Sequence, residues 1–255
     1  MKVKQAVLYL ASGVLILVSA DLCAWADTGP HDAQLQVLGQ AKLARAKVGD
    51  KVDLKVENAA ATLSGSVPSI GLKERAGREV SKVQGIVTVT NNLQVADVAG
   101  GDDKLLDQIA RGIRLYPYYT IFDNIEVSSH GAQVKLSGQV VQPWHKEDIG
   151  RIVALVPGVK EVENDIEVLP LSPFDNQIRW RIALAIYRNP LLSSYAIRAD
   201  PPIHIIVKNG NVTLTGIVHN PVDKAIAERE AHFAATYFDL TNQLKVETAM
   251  AKASP

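Results

Sequence analysis

Three stretches of this sequence share one pattern. Val52–Gly65 reads VDLKVENAAATLSG, Ile125–Gly138 reads IEVSSHGAQVKLSG, and Ile203–Gly216 reads IHIIVKNGNVTLTG. Each alternates apolar and polar residues, pauses at its middle, alternates again and closes on Leu-Ser-Gly or Leu-Thr-Gly. Alternation with period two marks a strand buried on one side, so each stretch predicts a β-hairpin. Asn209-Gly210 is the strongest turn, because both positions tolerate positive φ, and Asn58-Ala59 and Gly131-Ala132 are weaker versions. The closing glycine predicts a bend or a close backbone approach.

The copies are offset by 73 residues (52 to 125) and 78 residues (125 to 203). Asn91, Asn164 and Asn242 keep the same offsets, each read as the start of a short closing strand: NNLQV, NDIEV and NQLKV. Between hairpin and closing strand, Ala76, Val80 and Val83 recur at helical spacing, as do Ile149, Val153 and Val156, and Ala227, Ala231 and Ala234. Asn220-Pro221 reads as an N-cap followed by a first-turn proline, with Gln142-Pro143 in the equivalent place. A further helix precedes each hairpin: Leu105, Ile109 and Ile113 align with Ile178, Ile182 and Ile186, and Leu35, Leu38 and Leu43 fit more loosely. Asp102-Asp103 reads as the cap of the second of these helices and Asp175 as that of the third.

The order is therefore helix, strand, strand, helix, strand, three times over. This predicts an α+β fold of three tandem αββαβ modules over residues 32–97, 103–169 and 175–248. In each, two helices cover one face of a three-stranded mixed sheet, since alternating strands require burial on one side. The hairpin pair is antiparallel, and the helical crossover lets the closing strand lie parallel. The join around Gly100-Gly101 reads as flexible and that over Leu169–Phe174, with two prolines, as stiffer.

Residues 1–26 follow the three-part plan of a cleaved signal peptide: a basic start, the apolar run AVLYLASGVLILVSA over 6–20, and Ala24-Trp25-Ala26 before the cut. The run is shorter than the roughly 20 residues that span a bilayer. Cys23 is the single cysteine, and the Asp21-Leu22 before it suits lipidation poorly. A periplasmic location follows as an expectation. Lys and Arg number 27 and Asp and Glu 27. Residues 27–255 carry 25 basic and 26 acidic side chains, the leader holding Lys2, Lys4 and Asp21. That balance excludes the strongly basic character of a protein held to nucleic acid by phosphate neutralisation.

The unit resembles the BON domain of bacterial envelope proteins, including osmotically induced periplasmic ones. The residues that carry the resemblance are the helix with Ile178 and Ile182, Ile203–Val207, Asn209-Gly210, Val212–Gly216 and the Pro157-Gly158-Val159…Asn164 closure. The resemblance implies the αββαβ fold and a role at the cell envelope, with phospholipid binding proposed for some members. It supplies no catalytic residues.

No catalytic constellation emerges from the residues themselves. The six histidines include no pair at i, i+4, and no nucleophile elbow, P-loop or dinucleotide fingerprint occurs. Neither a metal site nor a cofactor is expected, and no small-molecule substrate. His130 and His204 read as solvated surface. Two features stand out. The loop Tyr116–Phe122 (YPYYTIF) holds four aromatics, among them Tyr118 and Tyr119. Its rings read first as a plug for the end of the small core, and otherwise as an exposed rim that contacts lipid or a partner. The helix around Ile178 carries Arg179, Trp180, Arg181 and Arg188 beside its apolar stripe, read either as a solvated face with Trp180 against a neighbouring repeat or as a seat for anionic headgroups. The expected function is non-catalytic binding, to anionic phospholipid or to envelope proteins. The rival is a soluble periplasmic stress or chaperone-like protein that binds proteins and not lipid.

Overall fold

The computed structural model describes residues 30–97, 100–198 and 200–247. The expected signal peptide over 1–26, with Cys23, lies outside them. The first module runs α1 (Pro30–Arg45), β1 (Val52–Glu57), β2 (Ala60–Val67), α2 (Ile70–Ser81), β3 (Thr88–Asn91) and β4 (Gln94–Val95). The second runs α3 (Gly101–Arg114), β5 (Asn124–His130), β6 (Gln133–Val140), α4 (Pro143–Ala154), β7 (Glu161–Asn164) and β8 (Glu167–Val168). The third runs α5 (Pro173–Arg188), a 3-10 turn over Pro190–Leu192, α6 (Ser193–Ala196), β9 (Ile203–Lys208), β10 (Asn211–Val218), α7 (Pro221–Ala234), β11 (Asp239–Asn242) and β12 (Lys245–Val246). The architecture is the expected α+β repeat.

Each sheet is built alike. The second hairpin strand is central, antiparallel to the first and parallel to the closing pieces: Leu54 faces Leu63, Leu63 faces Asn91, and Val67 faces Val95. The glycine closing each hairpin has φ near +110°, being +109° at Gly65, +108° at Gly138 and +115° at Gly216. A Cβ on Gly138 would lie 2.1 Å from the Asn124 carbonyl oxygen, so only glycine fits. The helical stripes read from the sequence are buried: Ala76, Val80, Ile149, Val153, Ala227 and Ala231 all pack on the strands. Leu38 departs from this and is exposed, while Leu35 and Leu43 hold α1 to the first core.

Two local readings are corrected. The closing strand is broken into two short pieces, and Asn91 ends the first rather than starting the whole. Its amide Nδ2 donates to the Lys73 carbonyl (2.7 Å) and its Oδ1 accepts from the Leu93 N–H (3.3 Å), tying the break to α2. Asn164 and Asn242 do the same with Lys146 and Ile166, and with Lys224 and Leu244. Asp102, for its part, does more than start a helix. Its carboxylate accepts from the N–H groups of Gly131 (3.0 Å) and Ala132 (3.3 Å) and from the Ser129 hydroxyl (3.0 Å). Asp32 grips Asn58 and Ala59 in the same way, and Asp175 grips Asn209 and Gly210. One carboxylate in the first turn of each module's leading helix thus holds that module's hairpin turn.

The modules join by unlike contacts. Between the first two, Ile70 N–H donates to the Val159 carbonyl (2.9 Å), Gly158 N–H donates to the Pro68 carbonyl (2.8 Å), and Ile70 leans on the second core. Between the second and third, Ile205 N–H on the outer edge of β9 donates to the Ile121 carbonyl (2.7 Å), and Phe122 is buried within the third module's core.

Candidate functional site

The third module is preceded by Ser172, whose hydroxyl accepts from the Asp175 N–H (3.1 Å), and Pro173 opens α5. With the start fixed, Ile178, Ile182 and Ile186 face inward over β9 and β10. The exposed side of α5 carries Phe174, Trp180 and Leu184, together with Arg181 and Arg188, and the exposed Leu191 follows in the 3-10 turn. Neither arginine has a carboxylate partner among the described residues.

Arg179 is corrected: it is not on that face. It is only 2% exposed, and its guanidinium donates to the Val207 carbonyl while Nε has no partner. Burial pulls its pKa down, partly offset by the charges of Asp175 and Asp123. The reason lies in the helical repeat. Position 179 follows Ile178 and precedes Ile182 and Ala183 on the buried side, so its long stem runs inward. Trp180 is 54% exposed and meets the Phe122 ring edge-on at 5.0 Å. It is half surface and half junction.

The aromatic loop divides its rings among three tasks. Tyr116 plugs its own module, its hydroxyl donating to Asp148 Oδ2 at 2.5 Å. Phe122 plugs the next module, and Tyr118 is 63% exposed. Tyr119 is half-buried against the second core, with its ring 5.6 Å from that of His204, and burial pushes its hydroxyl pKa up. His204 is therefore corrected as well: it lies in the junction and not on open surface, and desolvation lowers its pKa. Behind the loop, the buried Asp123 accepts from Val141 N–H (2.9 Å), Thr120 N–H (3.0 Å) and the Thr120 hydroxyl (2.8 Å), with His145 Nδ1 at 3.2 Å. This network fixes the loop that holds Phe122 out toward the third module.

Sequence reasoning missed that role for Phe122, as it missed the three aspartate clamps. The clamps were findable, since Asp102 and Asp175 stand 73 residues apart, the same offset at which Leu105, Ile109 and Ile113 align with Ile178, Ile182 and Ile186. Among the described residues no group of three or more His, Cys, Asp or Glu side chains could hold a metal ion. No helix among them is long and apolar enough to cross a membrane.

The family model described as "BON domain" matches residues 31–97, 102–170 and 175–248. Among solved structures the chain is similar to CdsD, a structural protein of the type III secretion system of Chlamydia trachomatis. Its C-terminal domain is 15% identical, with 85% of this chain and 96% of that chain covered and a TM-score of 0.25. A second CdsD structure is 13% identical, with 87% and 99% covered and a TM-score of 0.25. No curated protein matches the chain.

Proposed function

Because this chain belongs to the BON domain family, three copies of which fill most of its length, we propose that it is a non-catalytic periplasmic protein that binds anionic phospholipid surfaces. Domains of this family bind phospholipid and occur in envelope proteins. The observation that carries the reading is the outer face of α5. There Arg181 and Arg188 stand without carboxylate partners among the described residues, on a helix that also exposes Phe174 and Leu184. Cations flanking an apolar stripe suit a headgroup layer above acyl chains. Tyr118 and Trp180 add rings with one apolar and one hydrogen-bonding end, which favours the same boundary. The leader over 1–26 supports export.

Sedimentation with phosphatidylglycerol vesicles tests this. Arg181→Glu with Arg188→Glu is the informative variant, because truncating Trp180 would also disturb Phe122. Affinity about tenfold weaker at low salt is expected, and the difference should shrink as ionic strength rises. Unchanged binding removes the α5 assignment. A second reading, binding of other proteins, is favoured by Phe233 (80% exposed) and Phe238 (82%) at one end of the third module. Exposed rings of this kind belong to interaction surfaces. Suppression of aggregation of an unfolded protein, without vesicle binding, would support that reading instead.

A further inference from the structure

We propose that the first module holds a phosphate-binding site, in the cleft between the C-terminal end of α1 and the side of α2, formed by Lys42, Arg45, Lys47 and Arg75. The cleft measures about 540 Å³, and the remaining charged residue on its wall is Glu79. The Glu79 carboxylate is held by Lys82 Nζ at 2.6 Å, and that bond, helped by the charges of Lys42 and Arg75, lowers its pKa. The four cations have no carboxylate partner among the described residues.

Helix electrostatics explains only part of the cluster. Lys42 and Arg45 suit the last turn of α1, whose end carries about half a negative charge. Lys47 lies beyond the helix in the left-handed region (φ 52°), and Arg75 is in the interior of α2. Four cations against Glu79 and the helix end leave a surplus of roughly +2.5 charges. A phosphate monoester, with about −1.5 to −2 at neutral pH, matches that surplus better than a carboxylate does. Two guanidinium forks also fit its oxygens.

The sibling modules show that the fold does not require the cluster. At the repeat offsets Arg75 corresponds to Asp148, which accepts from Tyr116 and Arg151, and to Ile226, which is buried. The same scaffold closes that corner with an acid and a tyrosine in one module and with apolar packing in another. Of the three modules only the first has a cation at this position of its second helix, in a chain whose formal net charge is zero. The site does not depend on the α5 face.

The purified protein would be titrated with inorganic phosphate, with chloride holding the ionic strength constant, while the amide resonances of residues 42–49 and 75–79 are followed. Saturable shifts confined to those segments are expected. Arg45→Glu with Arg75→Glu should weaken them at least about tenfold, and Arg181→Glu with Arg188→Glu should leave them unchanged. The milder Lys42→Gln with Lys47→Gln should give a partial loss and serves if the charge reversal disturbs folding. A parallel arm with phosphatidic acid vesicles, whose headgroup is a phosphate monoester, identifies the source of the phosphate. Vesicle binding lost in the Arg45/Arg75 variant points to a lipid headgroup, and loss of the free-phosphate shifts alone points to a soluble phosphate ester. If phosphate does not saturate and vesicle binding is equal in parent and variant, the proposal is overturned.

Discussion

At the scale of single residues, the carboxylates of Asp32, Asp102 and Asp175 do the most local work. Two backbone N–H groups of each hairpin turn have no ladder partner, and each pair donates to one of these carboxylates. Asp175 is 1% exposed, so Asp175→Ala leaves the Asn209 and Gly210 N–H groups without a partner under cover. A loss of about 1–3 kcal/mol is expected in urea unfolding. Asp102 offers a pH test. Bonds from the N–H groups of Gly131 and Ala132 and from the Ser129 hydroxyl favour its ionised form and hold its pKa below the ordinary carboxylate value. With the folded pKa below the unfolded one, its contribution is complete above the unfolded value, near 4, and fades as pH falls through the folded value. Asp102→Asn should flatten that acid limb of a stability-against-pH curve. Asp102 and Asp175 stood in the sequence as helix caps, and Asp32 had no role assigned there. Periodicity shows where a helix begins, but it does not show which turn comes back across thirty residues to meet it.

At the scale of elements, the hairpins and helices were legible because each buries one face, and burial imposes a period on the residue order. The break in the closing strand was not, since NNLQV reads as one run until the asparagine amide is seen bonded to the helix above. Here the siblings differ instructively. Gly77 and Gly150 make room for Asn91 and Asn164, their missing Cβ atoms lying 3.1 and 2.7 Å from the amide nitrogens. In the third copy that position is Glu228, which instead accepts from Asn242 at 2.9 Å. Gly150→Ala should therefore push Asn164 off the Lys146 carbonyl and speed amide exchange at Ile166. Gly138→Ala is more severe, because φ of +108° and the Asn124 carbonyl both oppose a side chain. A cost of about 2 kcal/mol or more in unfolding free energy is expected. The basic and aromatic residues of α5 were equally visible in sequence, but their division between surface and interior was not. Arg179 went inward because its long stem can cross the core's edge and still end on a carbonyl.

At the scale of the whole molecule, the second and third modules share a core residue. Phe122→Ala should cost about 3–5 kcal/mol and split their unfolding into separate calorimetric steps, whereas a single unshifted transition would show that the contact does not couple them. His204 adds a pH dependence at the same place. Desolvation holds its pKa below 6.5, so the unfolded chain takes up its proton first as pH falls. The junction should weaken on going below about pH 6.5, and His204→Gln should remove that slope. The loop along β9 has a further meaning for where such an array can be divided. An outer strand with free N–H and C=O groups invites pairing with other chains. The segment that shields this one belongs to the preceding repeat. The third repeat, excised at the linker, would carry an uncovered edge and a hole where a ring had been. The sequence repeats as three units, but the boundary of what can stand alone falls elsewhere: the second and third repeats are completed only as a pair.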